Sequence, residues 1–106
     1  MSESREAANR VELAGVIIEL GALRHTPAGI PVIEFQLKHE SERREAGTMR
    51  KVSAEIAAVA FEAQARLVAA SALGRPLRAE GFLCARSRRS KKPVLHVTNI
   101  EFIKGE

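Results

Sequence analysis

Five cations crowd into seven consecutive positions toward the C-terminal end of the chain: Arg86, Arg88, Arg89, Lys91 and Lys92. Ser87 and Ser90 separate them, and no acid, aromatic or aliphatic residue interrupts. Like charges held this close repel one another in a folded protein, and a bound polyanion relieves that repulsion. The chemistry on offer is therefore recognition of phosphates. A solvated hairpin tip accounts for the same run, and this stretch alone leaves both readings open.

Catalysis finds no comparable footing. His25, His39 and His96 lie far apart, and none has a metal-ligand spacing to another His or Cys. On strands, His39 and His96 are expected to be packed or hydrogen-bonded. No Gly-rich phosphate cradle of the P-loop or dinucleotide type is present. Ser87 and Ser90 have no evident base, and Glu40, Glu42 and Glu45 read as solvated surface beside Arg43 and Arg44. The single cysteine, Cys84, excludes an intrachain disulfide and a cysteine-cluster zinc site, and is expected to be a small buried apolar residue. The expectation is a binding protein, not an enzyme, with no cofactor and no metal.

The elements that must position the basic run follow from its flanks. Leu77 to Cys84 before it and Val94 to Ile103 after it read as strands, so the run joins two strands as a loop. The 106 residues suffice for one domain with one core. Hydrophobic residues make up 45% and aromatics 4%, all Phe, so that core rests on Val, Ile, Leu and Ala. The net charge of +4 favours an acidic partner. Residues 1–9 read as a flexible polar leader without the character of a secretory signal, and 10–104 as the domain. One unpaired cysteine suits a reducing compartment, and the protein is expected to be cytoplasmic.

In chain order, Arg10 to Leu23 reads as a long first strand, with Gly15 and Gly21 offering a bulge or bend. Thr26-Pro27-Ala28-Gly29 is a turn. A second strand follows Pro31, with Ile33, Phe35, Leu37 and His39 alternating against Glu34, Gln36 and Lys38. Ser41 to Thr48 lacks apolar periodicity and is expected to be a loop. A third strand is expected from Met49 to about Ala58, then an alanine-rich helix over about Glu62 to Ala72, stopped by Gly74 and Pro76. Arg75 to Ala85 and Pro93 to Ile103 are the fourth and fifth strands. Val11, Leu13, Ile33, Phe35, Leu37, Leu83 and Val97 are the expected interior. Five strands with a helix between the third and fourth is the order of an all-β, five-stranded Greek-key OB-fold barrel. Such barrels bind oligonucleotides on one face and through long loops, including the loop between strands four and five. Here that loop is the basic run, which favours a ligand over a bare hairpin tip.

The ordered set of residues resembles the primosomal replication protein N (PriB) family. It comprises Asn9-Arg10-Val11 with Leu13 and Gly15, Pro27 to Pro31, then Phe35, Leu37, His39 and Ser41. Glu45-Ala46-Gly47 with Arg50, Gly81-Phe82 with Cys84, and Val94-Leu95-His96 complete it. The resemblance runs from about Asn9 to Ile103. It implies an OB-fold homodimer that binds single-stranded DNA and docks to the restart helicase PriA and to DnaT. It further implies that Arg86, Arg88 and Lys92 contact DNA, with Arg89 and Lys91 as added charge, and that Arg50 and Lys51 stand on the DNA-contacting face. Ordinary surface charge is the competing reading of Arg50 and Lys51. Two positions where the family carries an aromatic correspond to Thr48 and Ser53, and the chain has no Trp or Tyr. Stacking on an aromatic is worth about 1–3 kcal/mol per base, so its loss predicts weak, mostly electrostatic DNA binding. That departure keeps an alternative open: a protein-interaction adaptor whose basic loop meets an acidic partner.

Overall fold

In the computed structural model, which describes residues 7–103, the chain forms six strands and one helix. They are β1 (Val11–Leu20), β2 (Arg24–His25), β3 (Pro31–Glu45), β4 (Thr48–Phe61), α1 (Glu62–Ala69), β5 (Pro76–Ala85) and β6 (Pro93–Phe102). The sheet runs β1-β5-β6-β4-β3, and pairing of β1 with β3 closes it into a five-stranded barrel, with the two-residue β2 added outside β3. Among the described residues only β4 and β6 run parallel, through Ala58–Ala60 against Leu95–Val97. This is the Greek-key barrel expected from strand order. One strand must serve two partners to close it. β1 pairs with β5 from Val11 to Val16 and with β3 from Val16 to Leu20, and the register shifts between Ile17 and Glu19. That irregularity bends the strand from one partner to the other and falls between the two glycines that suggested it.

The interior is aliphatic. Ile17, Ile33, Phe35, Leu37, Leu77, Ala79, Leu95, Val97 and Ile100 come from the strands, and α1 adds Ala65 and Val68. Each large side chain so buried contributes about 1.5–3 kcal/mol. Of the expected interior, Ile33, Phe35, Leu37 and Val97 are buried, while Val11 and Leu13 are half-buried. Leu83 is 37% exposed. It shares the face of Leu95, but β1 stops pairing with β5 at Val11 opposite Gly81, so nothing from β1 covers it. Cys84 is likewise exposed rather than buried, one position further along the same uncovered end. Asn9 stands where β1 leaves off. Its side-chain amide donates to the Leu83 carbonyl and accepts from the Leu83 N–H, both at 2.9 Å. Residues 1–6 of the expected leader, and Lys104 of the expected domain, lie outside the described residues.

Three expected boundaries are corrected. Ser41 to Thr48 is not a loop: β3 continues to Glu45, β4 begins at Thr48, and the pair stays in register throughout. Ala46 (φ 53°) and Gly47 (φ 80°) form the whole connection. Two successive positive-φ residues match the twist of the strands they join, and glycine takes that conformation without a Cβ penalty. Beyond the barrel both faces of this hairpin meet water, which erases the alternation that marks a strand in sequence. A 15-residue strand is about 50 Å long, and the longest dimension of the molecule is 50 Å. The third strand also runs to Phe61 rather than Ala58. Pairing of Ala58–Ala60 with β6 and burial of Val59 and Ala60 override the helix propensity of alanine there. The helix then ends at Ala69 instead of about Ala72.

Candidate nucleic-acid interface

Alternate residues of β3, β4, β6 and β5 point away from the barrel interior. The registers place Glu34, Val59, His96 and Phe82 in one row across these four strands. Val32, Val59 and Val94 are buried on this outer face as a small apolar cluster separate from the core. An open groove of about 770 Å³ lies over it. Val32, Glu34, Gln36 and Val59 line it from the sheet, Arg24 and Thr26 from the segment between β1 and β3, and Arg86 from the basic loop. The face of the second and third barrel strands, flanked by the first and last loops, is where OB-folds take oligonucleotides.

The basic loop is tied by its own backbone and serines. The Arg86 N–H donates to the Lys92 carbonyl at 2.9 Å, and the Ser87 N–H to the Ser90 carbonyl at 3.1 Å. The Ser90 N–H donates in turn to the Ser87 hydroxyl at 3.0 Å. Ser87 and Ser90 thus shape the loop, and the five cations project from it exposed. Among the described residues, Arg86 alone of the five has a carboxylate within reach, Glu34 at 4.0 Å. Glu34 also bonds Arg24 at 3.0 Å. One acid in the groove therefore engages a cation of each wall, in exposed pairs individually worth little.

Arg50 and Lys51 part company. Both lie on the protruding half of β4, but alternation puts Lys51 on the face of Ala57, Val59 and Phe61 and Arg50 on the opposite face. Arg50 is held there by Glu45 at 2.9 Å. Arg10, just before β1, is committed elsewhere: the hydrogen bond it donates to Glu80, then the charges of Glu80 and Glu12, raise its pKa above the ordinary arginine value.

The structure supplies aromatic surface that the sequence reading lacked. The rings of Phe82 and His96 stack with centroids 5.2 Å apart and planes 18° apart. Phe61 approaches the same imidazole at 6.2 Å and 28°. Phe61 and Phe82 are 40% and 39% exposed. Phe82 and His96 each stand seven positions from Arg89, so a hairpin centred on the basic run could have paired them. Phe61 arrives through the parallel β4–β6 contact, which carries no local sequence signal. His39, as expected, is hydrogen-bonded: Nδ1 donates to the Ala14 carbonyl at 2.7 Å, and Nε2 meets the Ser41 hydroxyl at 2.8 Å. Among the described residues no group of three His, Cys, Asp or Glu could hold a metal, and no helix is long and apolar enough to cross a membrane.

The model of a family described as "another single-strand binding protein family" matches residues 9–99. The chain is similar to the replication restart protein PriB of Bordetella pertussis, with 43% identity over 97 residues, 92% of this chain and 91% of that one. It superposes on the structure of the priB protein of Ralstonia solanacearum with a TM-score of 0.82 at 32% identity, covering 92% of this chain and all (100%) of the other. A small single-stranded DNA-binding protein of Streptomyces coelicolor shares the fold at a TM-score of 0.69 and 16% identity, covering 89% of this chain and 91% of that one.

Proposed function

We propose a function from one premise: this chain belongs to the single-strand binding protein family and, within it, to the replication restart proteins named PriB. It binds single-stranded DNA as a component of the primosome in replication restart. Its work is binding rather than bond chemistry. The observation that carries this reading is the groove on the outer face of β3 and β4, walled by Arg24 and by the basic loop. Arg86, Arg88, Arg89, Lys91 and Lys92 take phosphates, Arg24 takes them on the facing wall, and Lys51 extends the same face outward. Arg50, on the other face with Glu45, stands outside this set. The strand is bound largely without a base code, since phosphate contacts position and do not specify.

The protein works as a homodimer. Among the described residues, Val11 to Gly15 of β1 pair with β5 on one edge and with no strand on the other, where the His39 side chain engages the Ala14 carbonyl, and an edge without a partner strand is a template for a second copy. The resemblance supports docking to PriA and DnaT, in the cytoplasm where restart takes place. The deciding measurement is titration of labelled single-stranded DNA over a series of salt concentrations. Binding that weakens linearly in log affinity against log salt, and exceeds binding to an equal length of duplex, is the expected result. Absence of binding at low salt defeats the reading in favour of the adaptor, whose basic loop meets an acidic protein.

A further inference from the structure

A second, smaller pocket of about 340 Å³ is lined by Phe61, Gln64, Phe82, His96 and Thr98, with Glu62. Phe61 and His96 line the groove as well, so the stacked rings are a wall shared by the two spaces. Gln64 is among the lining residues, its side-chain oxygen is buried without a hydrogen-bond partner among the described residues, and an acceptor left in that state destabilises unless a donor arrives. Thr98, also in the wall, is occupied, since its hydroxyl donates to the Glu80 carbonyl at 3.2 Å.

We propose that this pocket takes one nucleobase of a strand whose backbone lies in the groove, resting on the single-stranded DNA reading above. The base stacks on the Phe61–His96–Phe82 rings and turns an N–H of its edge to the orphaned oxygen of Gln64. A phosphate does not fit the lining: it includes no Lys or Arg, and the carboxylate of Glu62 repels an anion. An aliphatic side chain of a protein partner would leave the Gln64 acceptor unmet. A base meets both demands, with a flat π face for the rings and a donor for the oxygen. The arrangement divides the work between a salt-sensitive groove and a salt-insensitive pocket.

The test uses single-stranded DNA carrying 5-iodouracil, irradiated in complex with the full chain, and mass spectrometry of the products. Cross-links are expected at Phe61, Phe82 or His96. In parallel, Phe82→Ala lowers affinity roughly tenfold with an unchanged salt slope, because stacking is lost and no phosphate contact is. Gln64→Leu lowers affinity severalfold and serves as the second variant should Phe82→Ala misfold. Cross-links confined to residues 86–92, or wild-type affinity in both variants, overturn the pocket while leaving the groove standing. A wild type that binds no single strand overturns the function and the pocket together.

Discussion

Two stretches of this chain are rich in arginine and lysine, and they hold that charge differently. In the β5–β6 loop, Arg86, Arg88, Arg89, Lys91 and Lys92 have among the described residues one carboxylate nearby, Glu34 at 4.0 Å from Arg86. In the protruding β3–β4 hairpin, Arg43, Arg44, Arg50 and Lys51 are interleaved with Glu40, Glu42 and Glu45. There the register sets Glu42 opposite Lys51, and Glu45 holds Arg50 at 2.9 Å. A β-ladder brings directly opposed and diagonal cross-strand side chains within reach of one another, so although it sets Arg43 opposite Arg50 it also offers Arg50 the diagonal Glu45. A loop has no facing strand and leaves its charges uncompensated. Local potential therefore follows where the acids fall in register, not the density of cations in the sequence.

The contrast breaks most readily at the loop. If three or four of its cations meet phosphates, alanine at all five flattens the plot of log affinity against log salt by about 2 to 3 units, at roughly 0.7 per phosphate. Affinity at about 50 mM salt then falls at least a hundredfold. Circular dichroism stays as in the wild type, because exposed loop positions cost little to change. Coincident slopes would move the phosphate contact off the loop. A smaller effect sharpens the same contrast within the hairpin. Lys51→Glu lowers affinity about fivefold, as one phosphate contact is reversed, whereas Arg50→Glu on the far face changes it by about twofold or less. Equal losses in fluorescence titrations would mean that only net charge matters.

The fold was largely legible in the sequence, and the site only in part. Alternation of Ile33, Phe35 and Leu37 marks a strand because one face is buried and the other wet. That signal ends where the same strand leaves the barrel: Ser41 to Glu45 is wet on both sides, and its pairing lives in the ladder with β4. Alanine from Ala57 to Ala60 speaks for helix locally, and a non-local contact with β6 decides for strand. The basic loop announced itself by density alone. Arg24, Glu34 and Phe61 did not, since each earns its place through pairings between segments remote in sequence. Cys84 and Leu83 were misplaced for the same reason: their exposure depends on where β1 happens to end.

A weaker effect tests whether the one acid engaging both groove walls restrains the groove. Glu34 sits between Arg24 at 3.0 Å and Arg86 at 4.0 Å. A carboxylate about 6 Å from a bound phosphate costs about 0.7 kcal/mol in a water-like dielectric, roughly a threefold factor in affinity. Glu34→Gln removes that repulsion and frees both arginines, so affinity should rise about threefold at low salt, with the gain fading as salt screens it. A loss of affinity would instead make Glu34 a direct contact of the strand.

The smallest expected effect on binding separates the hairpin from the barrel it grows out of. Gly47 has φ of +80°, and a Cβ added there meets nothing within 4 Å. Gly47→Ala is therefore penalised by backbone conformation alone, about 1–2 kcal/mol for an L-residue in the left-handed region. The tip is exposed on both faces, so it can open without disturbing the packed barrel. Amide exchange at Arg44 to Arg50 should speed up by about 5- to 30-fold, the factor corresponding to that penalty, while the buried Leu37 and Leu95 keep their protection. DNA affinity should stay within about twofold with an unchanged salt slope, because the loop proposed to take most of the phosphates joins other strands. The checks are hydrogen exchange followed residue by residue and a urea midpoint. If the barrel midpoint falls along with the tip, the two halves of β3 and β4 unfold as one unit, and the ladder outside the barrel is held by the core rather than by its own charge pairs and turn.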